Sequence, residues 1–283
     1  MSSEPIPFPA LTPTQRLHID IYGYVIIKNL LTEKEIAILK DTLYGMEDDF
    51  RRTKKLPAPY CWNTSVTEDF FRIDNLPHLA PCFFDYISHP YIVGMAEEVI
   101  GGPARLEQSD AHIRRPVPGK NRPLGFHRAN QAAYHHNDRG LYHFSFIKAL
   151  TNLTDLGPDD GGTTVIAGTH KITDTPDEVI IKAALKDPSL IHQVEAPAGS
   201  TLLFYESLIH SAGNIKSDKD RLLILGGYCP TMFQTWKGYD PDPDFVNTLS
   251  DKNRALLTGE DKYDWRRKGR DLSDQKDHGK NDS

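Results

Sequence analysis

Two stretches of the sequence carry side chains able to hold a metal ion. One is GFHRANQAAYHHND, with His127, His135 and His136; the other is AGSTLLFYESLIHSAGN, with His210. Neutral imidazole is the commonest metal-binding side chain, so imidazoles from distant segments are the raw material of a site. Eleven residues beyond His210, Arg221 opens the apolar run RLLILGG. The run before His210 reads as a buried strand, residues 201–205, that His210 ends. A His at one strand end and an Arg at the start of the next strand can point into one barrel mouth. There the guanidinium fork would hold a carboxylate by two hydrogen bonds. The competing reading pairs Arg221 with nearby surface acids, Asp218 and Asp220. His18, His78, His89, His192 and His278 sit in polar or turn-like surroundings, and His170, in AGTHK, reads as a turn residue.

These residues need a frame. Thr12-Pro13-Thr14-Gln15 and Thr32-Glu33-Lys34-Glu35 are capping-box starts for two helices. Between them lies YGYVIIK, residues 22–28, a β-branched and aromatic strand signal. Ile36, Leu39, Leu43 and Met46 share one face of the second helix. A further helix follows Pro90 and stops at Gly101-Gly102. From residue 104 the texture changes to short apolar runs broken by Pro and Gly: LEQSDAHI, LYHFSFIKALTNL, GTTVIAG, TLLFY and RLLILGG, with one helix inserted after Pro176. The pattern predicts a mainly β fold with flanking helices, built as a double sheet. One domain is expected over residues 1–250, followed by a polar tail over 251–283 ending in DLSDQKDHGKNDS.

Composition narrows the functional classes. With 283 residues, 39% hydrophobic, the chain can bury one sizeable core. Its net charge of −6 and lack of a long basic stripe argue against nucleic acid as a partner. Arg51, Arg52, Lys54 and Lys55 read as a solvated turn. No apolar stretch approaches the ~18–20 residues needed to span a bilayer, and MSSEPIPFPA lacks the character of a signal peptide. Cys61, Cys82 and Cys229 are odd in number and scattered, which favours a reducing, cytoplasmic setting. Tyr60, Trp62, Phe70, Phe71 and Tyr134 are candidates for a pocket lining or for core.

Taken in order, YGYVIIKNLLTEKEIAILK, GPDDGGTTVIAGTHK and AGSTLLFYESLIHSAGN followed by Arg221 resemble the phytanoyl-CoA dioxygenase-like Fe(II)- and 2-oxoglutarate-dependent oxygenases. The resemblance covers nearly the whole chain before the tail. It implies a double-stranded β-helix, a cupin-like jelly roll whose mouth holds iron, and a small organic substrate. It further implies His210 as the distal iron ligand and Arg221 as the 2-oxoglutarate anchor. SDAHIRRPVPGKNRPLGFHRA is similar to the family's strand, Pro-rich loop and His-x-Asp pair, which makes His127 the first ligand. Ala129 then stands where the family has its carboxylate. Three accounts remain open: His136-x-Asp138 is the pair in a shifted register; water or a halide fills the place at Ala129, as in related halogenases; or the iron chemistry is lost and the chain is a jelly-roll binding protein. Glu206 is a further carboxylate, but four residues of extended strand would put it roughly 13 Å from His210.

Overall fold

The computed structural model describes residues 10–55, 65–117, 119, 123–128, 146–235 and 238–259, together with the backbone of 135–138 and 141–144. In chain order the elements are α1 (Pro13–Tyr22), β1 (Tyr24–Ile27), α2 (Glu33–Thr53), β2 (Ser65–Val66), β3 (Phe70–Asp74), α3 (Pro81–Ile87), α4 (Pro90–Ile100), β4 (Ala104–Arg114), β5 (His135–Asp138) and β6 (Leu141–Phe144). There follow β7 (Ile147–Asn152), β8 (Thr163–Ile166), α5 (Asp177–Lys186), β9 (Ile191–Gln193), β10 (Thr201–Tyr205), β11 (His210–Ala212), β12 (Arg221–Pro230), α6 (Pro243–Asn247) and α7 (Asp251–Thr258).

Both expected capping boxes form, at Thr12 with Gln15 and at Thr32 with Glu35. Gly23 ends α1 with a φ of 86°, and a Cβ there would lie 2.5 Å from His170 Nδ1. Only glycine gives both the left-handed turn and the room for His170 beneath it.

A seven-stranded sheet runs β1-β10-β7-β12-β4-β3-β2, opposed by a three-stranded sheet β11-β8-β9; β5 and β6 form a separate hairpin. The ladders are antiparallel, and the whole is a jelly roll with helical decoration. Period-two alternation divides the large sheet. Phe71, Ile73, Ala111, Ile113, Leu222, Ile224 and Ala149 face outward and are buried under α2, α3 and α4 through Leu39, Leu43, Phe83, Ile92 and Met95. Tyr86 of α3 fixes that layer with hydroxyl contacts to Ala149 O, Thr151 Oγ1 and Ile224 O at 3.0–3.2 Å. The alternate residues face the space between the sheets.

Two expectations change. The run LYHFSFIKALTNL yields two strands, β6 and β7, in different sheets. The fold also continues beyond residue 250. Ser250 caps α7, and Leu256 and Leu257 are buried against the core, with α7 packed on β4. Two adjacent leucines on a capped helix outweigh the polar composition around them. Residues 260–283 lie outside the described residues. No helix among the described residues is long and apolar enough to cross a membrane.

Candidate active site

A cavity of about 280 Å³ opens between the sheets. Cross-strand register lays its wall out in rows. Phe70, Arg114 and Arg221 align across β3, β4 and β12; Arg72, His112 and Leu223 form the next row, and Asp110 pairs with Leu225 beyond it. Lys148 of β7 stands beside Phe204 of β10 further along, and His127, His210, Ser211 and Thr163 close the opposite side.

His127 and His210, 83 positions apart in the sequence, are placed together by backbone. Each donates its N–H to the other's carbonyl at 2.9 Å, forming an antiparallel bridge. Their rings lie 4.4 Å apart between centroids. His127 Nδ1 is 2.9 Å from Gly125 O, and His210 Nδ1 is 2.8 Å from Leu208 O. A carbonyl only accepts, so Nδ1 carries the proton in both rings and Nε2 keeps its lone pair. Neither Nε2 has a hydrogen-bond partner among the described residues. This is the tautomer and backbone support that metal-bound imidazoles use. Burial holds the His210 imidazole below its usual value, opposed by the charge of Glu206 and reinforced by that of His127.

Arg221 is 3% exposed. It leaves the large sheet and reaches Thr163 Oγ1 of the small one at 2.9 Å, while its buried Nε has no partner among the described residues. Burial, and then the neighbouring Arg114, push it down to about 9, still cationic at neutral pH. An uncompensated buried guanidinium with a free N–H is a place for an anion. The alternative pairing with surface acids does not form: Asp220 instead meets Tyr44 and Arg115.

The expectations for the neighbouring residues divide. Phe70 lines the cavity, whereas Phe71 is core. His170 is buried in the turn Thr169–Lys171 and stacks on Tyr205. Tyr60, Trp62, Ala129, Tyr134 and the side chains of His135, His136 and Asp138 lie outside the described residues. Among the described residues no three His, Cys, Asp or Glu side chains converge as a metal cluster.

His210 does not end β10; it opens β11 in the opposite sheet. Between them the chain turns, with Leu208 N–H donating to Tyr205 O at 2.9 Å. The extended-strand spacing for Glu206 therefore fails, and Glu206 lines the same cavity as His210. His112 is a site residue that the search for motifs does not reach. It faces the cavity edge-on to Phe70, its Nε2 has no partner among the described residues, and burial pushes it down to about 3. Its signal is the alternation Gln108, Asp110, His112, Arg114 along one face of β4.

A jelly roll with paired imidazoles and a buried guanidinium at its mouth is the architecture of Fe(II)- and 2-oxoglutarate-dependent oxygenases. The phytanoyl-CoA dioxygenase (PhyH) family model matches residues 19–223, and the chain belongs to that family: it is a 2-oxoglutarate-dependent dioxygenase that uses Fe(II). An uncharacterized protein of Mycobacterium tuberculosis is 24% identical over 233 residues, covering 81% of this chain and 77% of that protein. L-proline trans-4-hydroxylase of Streptomyces griseoviridis is 26% identical over 165 residues, covering 49% of this chain and 59% of the hydroxylase. HygX from Streptomyces hygroscopicus, solved with nickel and 2-oxoglutarate bound, shares the fold with a TM-score of 0.65 at 21% identity, over 80% of this chain and 90% of that one.

Proposed function

We propose that His127 and His210 hold Fe(II) through Nε2 and that Arg221 pairs with the far carboxylate of 2-oxoglutarate. The reaction is oxidative functionalisation of a C–H bond in a small organic substrate within the cavity. The single observation that carries the assignment is the matched pair of Nδ1–H to carbonyl bonds, which turn both lone pairs loose for a metal. The oxidant is dioxygen, which iron bound there would activate: one oxygen atom would go into succinate as 2-oxoglutarate loses carbon dioxide, and the other would serve the two-electron oxidation of the substrate C–H bond. The chain's own part is to orient the ligands, neutralise the cosubstrate's charge at Arg221 and keep water out. Leu150, Leu223, Leu225 and Phe204 supply apolar wall for the last of these. The free thiols of Cys82 and Cys229 support a cytoplasmic location.

The test is anaerobic reconstitution with Fe(II) and 2-oxoglutarate. The parent protein should develop the weak visible charge-transfer band of the chelate. His210→Ala should lose that band and tight Fe(II) binding while keeping its melting temperature. A parent that stays colourless and fails to bind 2-oxoglutarate overturns the proposal.

A further inference from the structure

Lys148 Nζ and Glu206 Oε2 face each other at 3.9 Å. The separation is too long for a hydrogen bond and suits one bridging oxygen. Lys148 uses two of its three donors, on Glu107 Oε2 at 2.9 Å and Gln108 Oε1 at 2.5 Å. On the facing side, Glu206 Oε2 is buried without a hydrogen-bond partner among the described residues. The side chains are 6% and 13% exposed, and both line the cavity that His127 and His210 share.

The lysine's path is built in. A Cβ at Gly227 would lie 2.6 Å from Lys148 Nζ and 2.6 Å from Glu107 Oε2, so glycine is what lets the side chain cross β12. Burial alone would lower the ammonium, yet Glu107 and Glu206 carry it above the usual lysine value. Buried ion clusters add little net stability over apolar packing, so this one is better explained by recognition.

The facing charges select the chemistry of what lies between them. An ammonium drawn to Glu206 would meet Lys148, and a carboxylate drawn to Lys148 would meet Glu206; like charges in a desolvated cavity repel. A hydroxyl satisfies both partners, accepting from Lys148 and donating to Glu206 through one oxygen. We propose that Lys148 and Glu206 form a hydroxyl-recognition site and that the substrate is a neutral alcohol or polyol held there. The proposal rests on the reading of the cavity as the chamber of an Fe(II)/2-oxoglutarate oxygenase. Lys148 and Glu206 line the same cavity as His127 and His210, so a group held at the pair shares the chamber with the proposed ligands.

The test uses protein reconstituted anaerobically with Fe(II) and 2-oxoglutarate and four probes on one ring: cyclohexanol, cyclohexylamine, cyclohexanecarboxylate and cyclohexanecarboxamide. Paramagnetic Fe(II) enhances the proton relaxation of a probe bound near it, and Zn(II)-loaded protein gives the diamagnetic baseline. Cyclohexanol should show the strongest enhancement, with its affinity falling about tenfold in Glu206→Gln and in Glu206→Leu. Enhancement favouring the amine, carboxylate or carboxamide overturns the proposal. So does enhancement by none of the four, or an alcohol affinity unmoved by both variants. Failure of the parent to bind Fe(II) or 2-oxoglutarate overturns instead the functional reading beneath it.

Discussion

Arg221 keeps a buried Nε–H without a partner, pairs with no acid among the described residues and has almost no contact with solvent. Lysine would keep the charge there and lose the planar fork. Arg221→Lys should therefore weaken 2-oxoglutarate about tenfold or more while leaving Fe(II) affinity within about twofold. Calorimetric titration of each ligand checks the split, and equal 2-oxoglutarate affinity in both proteins would remove Arg221 from the site. On the proposed reading Ala129 poses the opposite problem: it would stand where the resemblance places a carboxylate, and this sequence has a methyl group there. The backbone bridge between His127 and His210 belongs to the proposed reading, in which the register ends in Ala129. Ala129→Asp should tighten Fe(II) binding and abolish any effect of chloride on the chelate spectrum. In the same assay His127→Ala should lose the metal and Asp138→Ala should keep it. The reverse pattern would move the site to His136 and Asp138.

Elements differ in how openly the sequence announces them. The capped helices and the apolar strands are legible because capping and alternation are local, and both outcomes agree with the pattern at Thr12, Thr32 and RLLILGG. His210 and Arg221 are legible because each opens a strand, whereas His127 lies in an isolated bridge outside the named strands and only its place after the Pro-rich loop marks it. The turn after β10 is not, since Glu206-Ser207-Leu208-Ile209 contains no Gly, Pro or Asn to mark it. His112 is hidden for another reason. Alternation along β4 separates two faces without saying which one meets the helices, and tertiary packing decides that. α7 is obscured by its charged neighbours, although Ser250 and the Leu256-Leu257 pair are its signature. Leu257 is 2% exposed, so Leu257→Ala should cost about 2–5 kcal/mol in a denaturant titration. A change under about 0.5 kcal/mol would return residues 251–258 to the tail.

Across the whole molecule, burial biases the response to acid. It pushes His112 down to about 3 and His170 down to about 4, against an ordinary value of about 6.5. As pH falls through the ordinary range, the unfolded chain takes up protons that the folded one refuses, and stability drops. The loss runs from about pH 6.5 towards the folded values. Glu47, held low by Arg115 and Arg51 despite its burial, adds to the loss at lower pH. Glu107 works in the other direction: burial raises its carboxyl to about 7, so the fold gains from protonating it. The two histidines outnumber it in that window. The metal-free protein should thus melt at a lower temperature at about pH 5 than at about pH 7. A melting temperature that is flat or rises on acidification would contradict the neutral assignment of both imidazoles.

The carbonyls that orient His127 and His210 belong to Gly125 and Leu208, each two residues upstream on the same segment as the ring it holds. Ring orientation is then a property of the polypeptide before any ion arrives. Loading becomes a docking event rather than a folding event, in contrast to small domains that collapse only around their metal. A chelator should empty such a site without melting the protein, at a rate governed by the ion's own escape. If His127 and His210 hold the iron as proposed, an ion lost to adventitious oxidation would be replaceable in place, many times over the life of one chain.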